Sequence, residues 1–250
     1  MKTTLLATAA TALVLVTGAA RAQEEVKIGV LLGYTGPIES LTPGMADAAE
    51  LAMAEVNAAG GILDGKTLVP VRADSTCVDA GAATAAAERL VTSEGVAAIM
   101  GADCSGVTIA TLNNVALPNG VVMISPSATS PALTTIEDDG LFFRTAPSDA
   151  RQGAVLAEVL ADKGVTEIAV TYTNNDYGKG LADAIESSFK AVGGEVTIVA
   201  AHEDGKADYS AEVGALASAG GDLLVVAGYL DQGGAGIIKS ALDAGAWDTF

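Results

Sequence analysis

The chain has 250 residues, of which 13 are Lys or Arg and 31 are Asp or Glu, so its formal net charge is -18 at pH 7. An acidic balance of this size argues against a nucleic-acid partner, because phosphate backbones attract basic surfaces. Half of the residues are apolar and only 4% are aromatic, which is typical of helices packed on parallel strands and excludes a disordered or collagen-like chain. The length suffices for two modest domains.

Residues 1–22 carry the pattern of a cleavable signal peptide. Lys2 gives a short positive start, residues 5–18 form an apolar core, and Ala-Arg-Ala at 20–22 is a small-x-small cleavage site. The apolar stretch is shorter than the roughly 20 residues that a transmembrane helix needs. We therefore expect an exported protein that begins at Gln23, with no membrane insertion of the mature chain.

Beyond the signal peptide, short β-branched runs alternate with longer Ala-rich stretches of helical periodicity, which predicts an α/β fold with parallel sheets. In the first half, the predicted strands are residues 26–32, 67–73, 96–100 and 121–124, and the predicted helices are residues 43–59, 79–93 and 105–117. The first helix has consistent boundary signals, with Thr42 as its N-cap and Pro43 at its first position. Gly60 and Gly61 then end it.

The alternation of strands and helices is interrupted in the middle of the chain. Residues 134–140 have no periodic pattern and contain three consecutive acids, and residues 142–147 indicate an extended hinge. The pattern resumes with predicted helices at 149–163, 177–192, 209–219 and 236–244 and predicted strands at 167–173, 195–201 and 222–227. We therefore expect two Rossmann-like lobes, residues 23–141 and 148–250. The C-terminal part of the second lobe is expected to be missing, because residues 247–250 resemble the start of another strand.

Motifs of nucleotide-binding proteins and enzymes are either in the wrong context or absent. Residues 60–67 match the phosphate-loop pattern G-x-x-x-x-G-K-[ST], but they follow a predicted helix and precede a strand, the reverse of the order that phosphate binding requires. The first strand-helix turn, residues 33–38, lacks the dinucleotide spacing G-x-G-x-x-G. No G-x-S-x-G elbow is present, and the single histidine, His202, stands among acids in a predicted solvated loop. We expect neither an enzyme nor a cofactor.

The two cysteines, Cys77 and Cys104, are predicted to form a disulfide, since an isolated pair in an exported chain usually does so. A zinc site is disfavoured, because two thiols and one distant histidine do not complete a zinc coordination shell. We accordingly expect no bound metal.

Polar loops follow several predicted strands, at the edge where open parallel sheets bind ligands. After the third strand, Ser105 can cap the next helix, where its hydroxyl and the free helix amides would suit a carboxylate; an ordinary N-cap without a ligand is the alternative. After the fourth strand, two prolines hold residues 125–131 extended and leave backbone groups and hydroxyls available. In the second lobe, Tyr177 and Tyr229 lie at the matching edge, where two aromatic rings suit a cleft that closes over a solute.

Together these features resemble the type I periplasmic solute-binding proteins, in particular the leucine/isoleucine/valine-binding family of ABC importers. The resemblance covers the whole mature chain. It rests on Lys-Ile-Gly-Val at 27–30, Thr-Gly-Pro at 35–37, Ala-Ala-Gly-Gly-Ile at 58–62, the two cysteines, residues 125–131, Phe-Arg-Thr at 143–145 and Asp-Tyr-Gly-Lys-Gly at 176–180. It implies a periplasmic location, a disulfide between the cysteines, and two lobes that deliver a solute to an inner-membrane ABC permease.

The resemblance also implies which residues hold the ligand. They are Ser105, Ser127, Ala128, Thr129, Tyr177 and Tyr229. Ser105 and Thr129 would offer hydroxyl and backbone donors to the carboxylate of an amino acid, while the Ser127 carbonyl and the Thr129 hydroxyl would receive its ammonium group. The two tyrosines would close from the second lobe. An acidic partner of the ammonium group is expected beyond Phe250.

We therefore expect a binding protein that captures a branched-chain or other small amino acid, a zwitterionic solute, without chemistry of its own. Ser127 stands where the best-known members of the family carry Ala, which makes the expected pocket more polar. Two alternative hypotheses are a binding protein for an amide, urea or aromatic acid and the extracellular ligand-sensing domain of a receptor.

Overall fold

The computed structural model describes residues 24–247, so the predicted signal peptide at 1–22 lies outside the described residues. The strands of the first lobe are β1 Glu25–Leu32, β2 Thr67–Asp74, β3 Ala98–Gly101, β4 Val122–Ser125 and β5 Phe142–Arg144. They form one sheet in the order β2-β1-β3-β4-β5, and every neighbouring pair is parallel. The four strands predicted in this half are confirmed with small shifts at their ends.

Helices cover this sheet. They are α1 Thr42–Ala58, α2 Ala80–Glu88, α3 Ser105–Thr111, α4 Leu117–Asn119 and α5 Ala132–Thr135. Two π-helical stretches, Arg89–Ser93 and Leu112–Ala116, extend α2 and join α3 to α4. The helices predicted at 79–93 and 105–117 are therefore confirmed as nearly continuous helical segments.

The two faces of β1 bury alternate side chains. Leu31 belongs to the core beneath α2 and α3, whereas Val30 and Leu32 pack with Ala46 and Met53 of α1 on the other face. Successive residues of a strand point to opposite faces of the sheet. The apolar run at the end of β1 is thus buried on both sides, as expected for a parallel strand between helical layers.

The boundaries of α1 correct one prediction and agree with another. Leu41 takes the N-cap position without a side-chain capping bond, so the N-cap role predicted for Thr42 is wrong. The Thr42 hydroxyl instead donates to Gly33 O at 3.1 Å, because this side chain is fully buried against the loop after β1. Residues 60–67 connect α1 to β2, so the phosphate-loop match lies in a helix-to-strand turn.

The second lobe repeats the architecture. It contains β6 Glu167–Thr173, β7 Glu195–His202 and β8 Leu223–Ala227, with helices α6 Asp149–Asp162, α7 Asp176–Ala191, α8 Ser210–Ala219 and α9 Ala235–Asp243 and a π-helical segment, Leu230–Gly234, before α9. The sheet is parallel in the order β7-β6-β8. One core cluster contains Ile185 and Phe189 of α7, and a second contains Leu216 of α8 and Ile237 of α9.

The expected fold class is confirmed as two α/β lobes with parallel sheets. The hinge boundary at 142–147 stays a prediction, although its first residues form the edge strand β5. His202 was expected in a solvated loop, and this expectation is wrong, because the residue ends β7 and is only 1% exposed. Among residues 24–247, no helix combines the length and hydropathy that a bilayer crossing requires.

Candidate functional site

A cavity of about 470 Å³ lies between the two lobes, at the carboxyl ends of their strands. Its first-lobe wall comes from the loops after β2 and β3 and includes Cys77, Cys104 and Ser105. Its second-lobe wall comes from the loops after β6, β7 and β8 and includes Tyr177 and Tyr229. Open parallel sheets bind ligands at this edge, so the cavity is the candidate binding site.

The predicted disulfide joins the two loops of the first-lobe wall. Cys77 and Cys104 are bonded, with their Cα atoms 5.2 Å apart, and both residues line the cavity. Because Ser105 directly follows Cys104, the bond also holds the beginning of α3 against the loop after β2. The disulfide is therefore part of the scaffold of the site.

Asp103 organises the same edge of the first lobe. Its carboxylate accepts hydrogen bonds from Gly33 N at 2.6 Å, from Ser75 Oγ at 2.9 Å and from Cys104 N at 3.0 Å. Burial raises the pKa of Asp103, and these donors partly offset the effect. One carboxylate thus connects the loops after β1, β2 and β3. The sequence contains no signal for this role, because Asp103 resembles any polar residue of a loop.

Ser105 connects the two ligand-facing loops of the first lobe. Cys104 occupies the N-cap position of α3, and no side chain of the described residues caps this helix, so the capping role considered for Ser105 is wrong. The Ser105 hydroxyl instead accepts a hydrogen bond from Ser130 N at 3.1 Å. This bond ties the beginning of α3 to the loop after β4.

The loop after β4 is held rigidly from within the first lobe. The Ser127 hydroxyl donates to Asp103 O at 2.9 Å, and the fully buried Ala128 donates its N–H to Ser125 Oγ at 3.0 Å. Arg144 of β5 adds a bond from Nη1 to Ala128 O at 3.3 Å. These bonds fix the backbone of the loop before any ligand arrives.

Thr129 and Asp149 form the most distinctive polar pair of the junction. The Thr129 hydroxyl lies near the Asp149 carboxylate, and Asp149 N donates to Thr129 O at 2.9 Å. Asp149 is 1% exposed, and its Oδ2 is fully buried with no hydrogen-bond partner among the described residues. Burial raises the pKa of Asp149, while the nearby Thr129 hydroxyl and the charge of Arg144 partly offset this. A buried carboxylate oxygen without a donor fits a site that receives a cationic group.

Asp149 was not identified from the sequence. It opens α6 directly after Ser148, whose side chain caps the helix. An acid in the first helical turn is common, because it interacts favourably with the helix dipole. The pattern therefore contains no sign that this carboxylate is buried at the junction of the lobes.

Tyr177 and Tyr229, which were predicted to close over the ligand from the second lobe, meet at the cavity. The ring centroids of Tyr177 and Tyr229 are 4.8 Å apart, with an interplanar angle of 43°. Tyr229 belongs to the second lobe but packs against the core of the first. Burial raises the pKa of both hydroxyls, and the charge of Asp149 raises them further. Both phenols are therefore neutral hydrogen-bonding groups at physiological pH.

Two glycines permit close contact between the lobes. A Cβ atom on Gly106 of α3 would lie 3.0 Å from Asp176 Oδ2 of α7. A Cβ atom on Gly180 of α7 would lie 2.9 Å from Ser130 Oγ. The structure thus presents the lobes in contact around the cavity, at distances that larger side chains would not allow without displacement.

The six predicted ligand residues fall into two groups of three. The residues in the cavity wall are Ser105, Tyr177 and Tyr229. The residues outside that wall, in the adjoining loop after β4, are Ser127, Ala128 and Thr129. The Ser105–Ser130 bond links the groups.

The buried His202 is connected to the loop that carries Tyr229. Its Nδ1 lies 2.9 Å from Thr171 Oγ1 and its Nε2 lies 3.4 Å from Thr173 Oγ1. Thr173 Oγ1 also accepts a hydrogen bond from Tyr229 N at 3.1 Å. The neutral imidazole therefore belongs to a hydrogen-bond chain that ends at the cavity.

Acidification is expected to destabilise the protein through His202. Burial lowers its pKa below the ordinary 6.5, although the charges of Glu212, Glu203 and Asp204 partly oppose this. The unfolded chain then binds a proton at His202 more readily than the folded protein does. The stability contributed by the neutral imidazole is therefore complete above pH 6.5 and is lost as the pH falls through the folded-state pKa. Between about pH 7.5 and about pH 5, the melting temperature of wild type should fall further than that of His202→Gln. Equal changes in the two proteins would contradict the prediction.

Comparison with known proteins identifies the family. A family model described as periplasmic binding protein matches residues 25–249. The Leu/Ile/Val-binding protein homolog 3 of Brucella melitensis is 34% identical over 221 residues, which cover 86% of this chain and 58% of the relative.

Two solved structures extend the comparison. The ABC transporter substrate-binding protein of Desulfitobacterium hafniense in complex with Leu is 30% identical with a TM-score of 0.71, covering 89% of this chain and 64% of that chain. LivJ, the branched-chain amino acid transporter substrate binding protein of Streptococcus pneumoniae in complex with isoleucine, is 30% identical with a TM-score of 0.75, covering 90% of this chain and 63% of that chain. The chain thus spans less than two thirds of the length of these relatives. It belongs to the type I periplasmic binding proteins, in the branched-chain amino-acid family.

Proposed function

We propose that this protein is the periplasmic substrate-binding component of an ABC importer and captures a branched-chain or other small amino acid between its lobes. The observation that carries the proposal is the buried Asp149 Oδ2, which has no partner among the described residues and lies beside the Thr129 hydroxyl. An α-ammonium group supplies the missing donor, because charge-assisted hydrogen bonds are the strong ones. Asp149 is thus a candidate acidic partner for the ammonium, within residues 24–247 rather than beyond Phe250.

The carboxylate of the amino acid is assigned to neutral donors on the first lobe. The Thr129 N–H has no acceptor among residues 24–247, and the Ser105 hydroxyl lies in the cavity wall. Donors that are fixed by the surrounding hydrogen bonds can hold a carboxylate without a cationic side chain, since they need little reorganisation when the ligand arrives. Tyr177 and Tyr229 would cover the ligand from the second lobe.

The wider role follows from membership in the family. We infer that residues 1–22 direct export and are removed, that the mature protein carries a zwitterionic solute to an inner-membrane permease, and that it performs no chemistry itself. Ligand binding would shift an equilibrium between open and closed lobes, through contacts that are made only in the closed state. The contacts of Gly106 and Gly180 with the opposite lobe are candidates for that state.

Thermal unfolding with candidate ligands tests the proposal directly. The full-length mature protein is heated with leucine, isoleucine or valine and, separately, with acetamide, urea or 4-hydroxybenzoate. A ligand that binds the folded state raises the melting temperature by mass action. We expect an increase with at least one of the amino acids and none with the other compounds. An increase with acetamide, urea or 4-hydroxybenzoate alone would overturn the proposed ligand class.

Thr129→Val is expected to raise the Kd for the amino acid by about 10-fold, because one hydrogen bond to a charged ligand group is removed at nearly constant side-chain volume. Isothermal titration calorimetry measures the change. Thr92→Val is the matched control, since Thr92 is exposed and its hydroxyl bonds Glu88 O of its own helical segment. Equal affinities of the two variants would remove Thr129 from the site.

A further inference from the structure

An amide pair forms part of the second-lobe wall of the cavity. Asn175 and Gln232 both line the cavity, and Asn175 Nδ2 donates to Gln232 Oε1 at 3.2 Å. Asn175 is also the N-cap of α7, where its Oδ1 accepts from Gly178 N at 2.8 Å. Because its oxygen is used at the helix cap, its nitrogen must face Gln232. This fixes the orientation of the Gln232 amide, with Oε1 toward Asn175 and Nε2 away from it.

The Gln232 amide nitrogen is a donor without an acceptor. Gln232 is only 8% exposed, yet no acceptor for its Nε2 occurs among residues 24–247. In that part of the chain, the fully enclosed polar side-chain atoms without a partner belong to Tyr34, Thr111 and Asp149. Gln232 Nε2 is not one of them, so this atom is accessible, and Gln232 is one of the residues of the cavity wall.

The backbone of Gln232 holds this side chain in place. Its N–H donates to Tyr229 O at 3.2 Å. The donor is therefore preorganised close to Tyr229, one of the two rings in the same wall. A fixed donor in the wall of a binding cavity discriminates between ligands, because a ligand without an acceptor leaves it unpaired.

The charges around this end of the cavity restrict the ligand group further. Three acids line it, namely Asp176, Glu203 and Asp204. Within the part of the chain that the structure describes, the one cation in the wall is Lys179, which is paired with Asp183 at 2.6 Å. An anionic ligand group would be repelled here, whereas a neutral oxygen atom could accept the Gln232 hydrogen bond without this penalty.

We propose that Gln232 is a specificity-determining residue whose amide donates to a neutral side-chain oxygen of the bound amino acid. The protein would then prefer amino acids such as threonine or asparagine to their isosteres valine and leucine. This inference rests on the proposed function, since it assumes that the ligand is an amino acid held in the same cavity. It adds to the proposed function the class of ligand side chain that the protein prefers.

Matched ligand pairs test the inference on the full-length mature protein. The Kd values of threonine, valine, asparagine and leucine are measured by isothermal titration calorimetry. In wild type, threonine should bind about 10-fold tighter than valine, and asparagine about 10-fold tighter than leucine, because each aliphatic isostere leaves the donor unpaired. In Gln232→Met both preferences should disappear, while the Kd values of valine and leucine should change little. Gln152→Met is the control, since Gln152 is exposed on α6, and it should keep both preferences.

Each outcome of the titrations has one meaning. Equal or tighter binding of valine and leucine by wild type would overturn the inference and leave the proposed function standing. An equal loss of affinity for all four ligands in Gln232→Met would have the same meaning. Failure of all four ligands to bind wild type would overturn the proposed function itself. Gln232→Leu is a second variant of similar size, which also lacks the donor. It should likewise lose both preferences, and preferences retained in this variant would contradict the inference.

Discussion

Replacing both Cys77 and Cys104 with serine is expected to lower the free energy of unfolding by about 3.5 kcal/mol. The two cysteines are separated by 27 residues in sequence, and cross-linking a loop of this length removes conformational entropy from the unfolded chain. For a protein of this size, such a loss corresponds to a decrease of about 10 °C in melting temperature. Calorimetry of wild type and the double variant at the same pH measures it.

The reduced wild-type protein provides the control for the disulfide prediction. Treatment with a thiol reductant should lower its melting temperature to nearly that of the double variant, while the double variant should not respond. The double variant is preferable to Cys77→Ser alone, because a single substitution leaves a reactive thiol at Cys104. If oxidised wild type and the double variant melted together, the bond would contribute nothing to stability.

Periodicity predicts the fold of this chain well because its parallel strands are buried on both faces. Runs such as Val30, Leu31 and Leu32 are continuous and apolar, and Ala-rich helices lie between them. Boundary positions are less predictable. Thr42 has the composition of an N-cap, but its hydroxyl bonds a carbonyl nine residues earlier in the chain, and this tertiary contact outweighs the local preference.

The site is only partly visible in the sequence. The resemblance to a family places Ser105, Tyr177 and Tyr229, and the structure brings these three to one cavity wall. Asp149 and Gln232 were missed, because their importance comes from burial and from an unsatisfied polar atom. Both properties depend on residues distant in sequence, such as Asn175 for Gln232, and no local pattern records them.

Asp149→Asn is expected to raise the Kd for the amino acid by about 10-fold to 100-fold. The substitution keeps the size of the side chain but removes the negative charge that we assign to the ammonium group, and a hydrogen bond to a charged group is worth about 1.5–3 kcal/mol. Isothermal titration calorimetry with the best of the tested amino acids measures the change. Asp162→Asn, at the exposed end of the same helix, is the control and should bind like wild type.

The same substitution should stabilise the ligand-free protein at neutral pH. Burial raises the pKa of Asp149 above its ordinary 3.8, so the folded state holds this proton more tightly than the unfolded state. The stability linked to that proton is complete below pH 3.8 and is lost as the pH rises through the folded-state pKa. At neutral pH the asparagine avoids the desolvation of a buried charge, and the melting temperature of the free variant should exceed that of wild type.

A variant that bound the amino acid normally, or that melted lower than wild type at neutral pH without ligand, would contradict the assignment of Asp149. A residue that destabilises the empty protein and strengthens the complex is expected of a binding site, because the ligand supplies the partner that the fold leaves out.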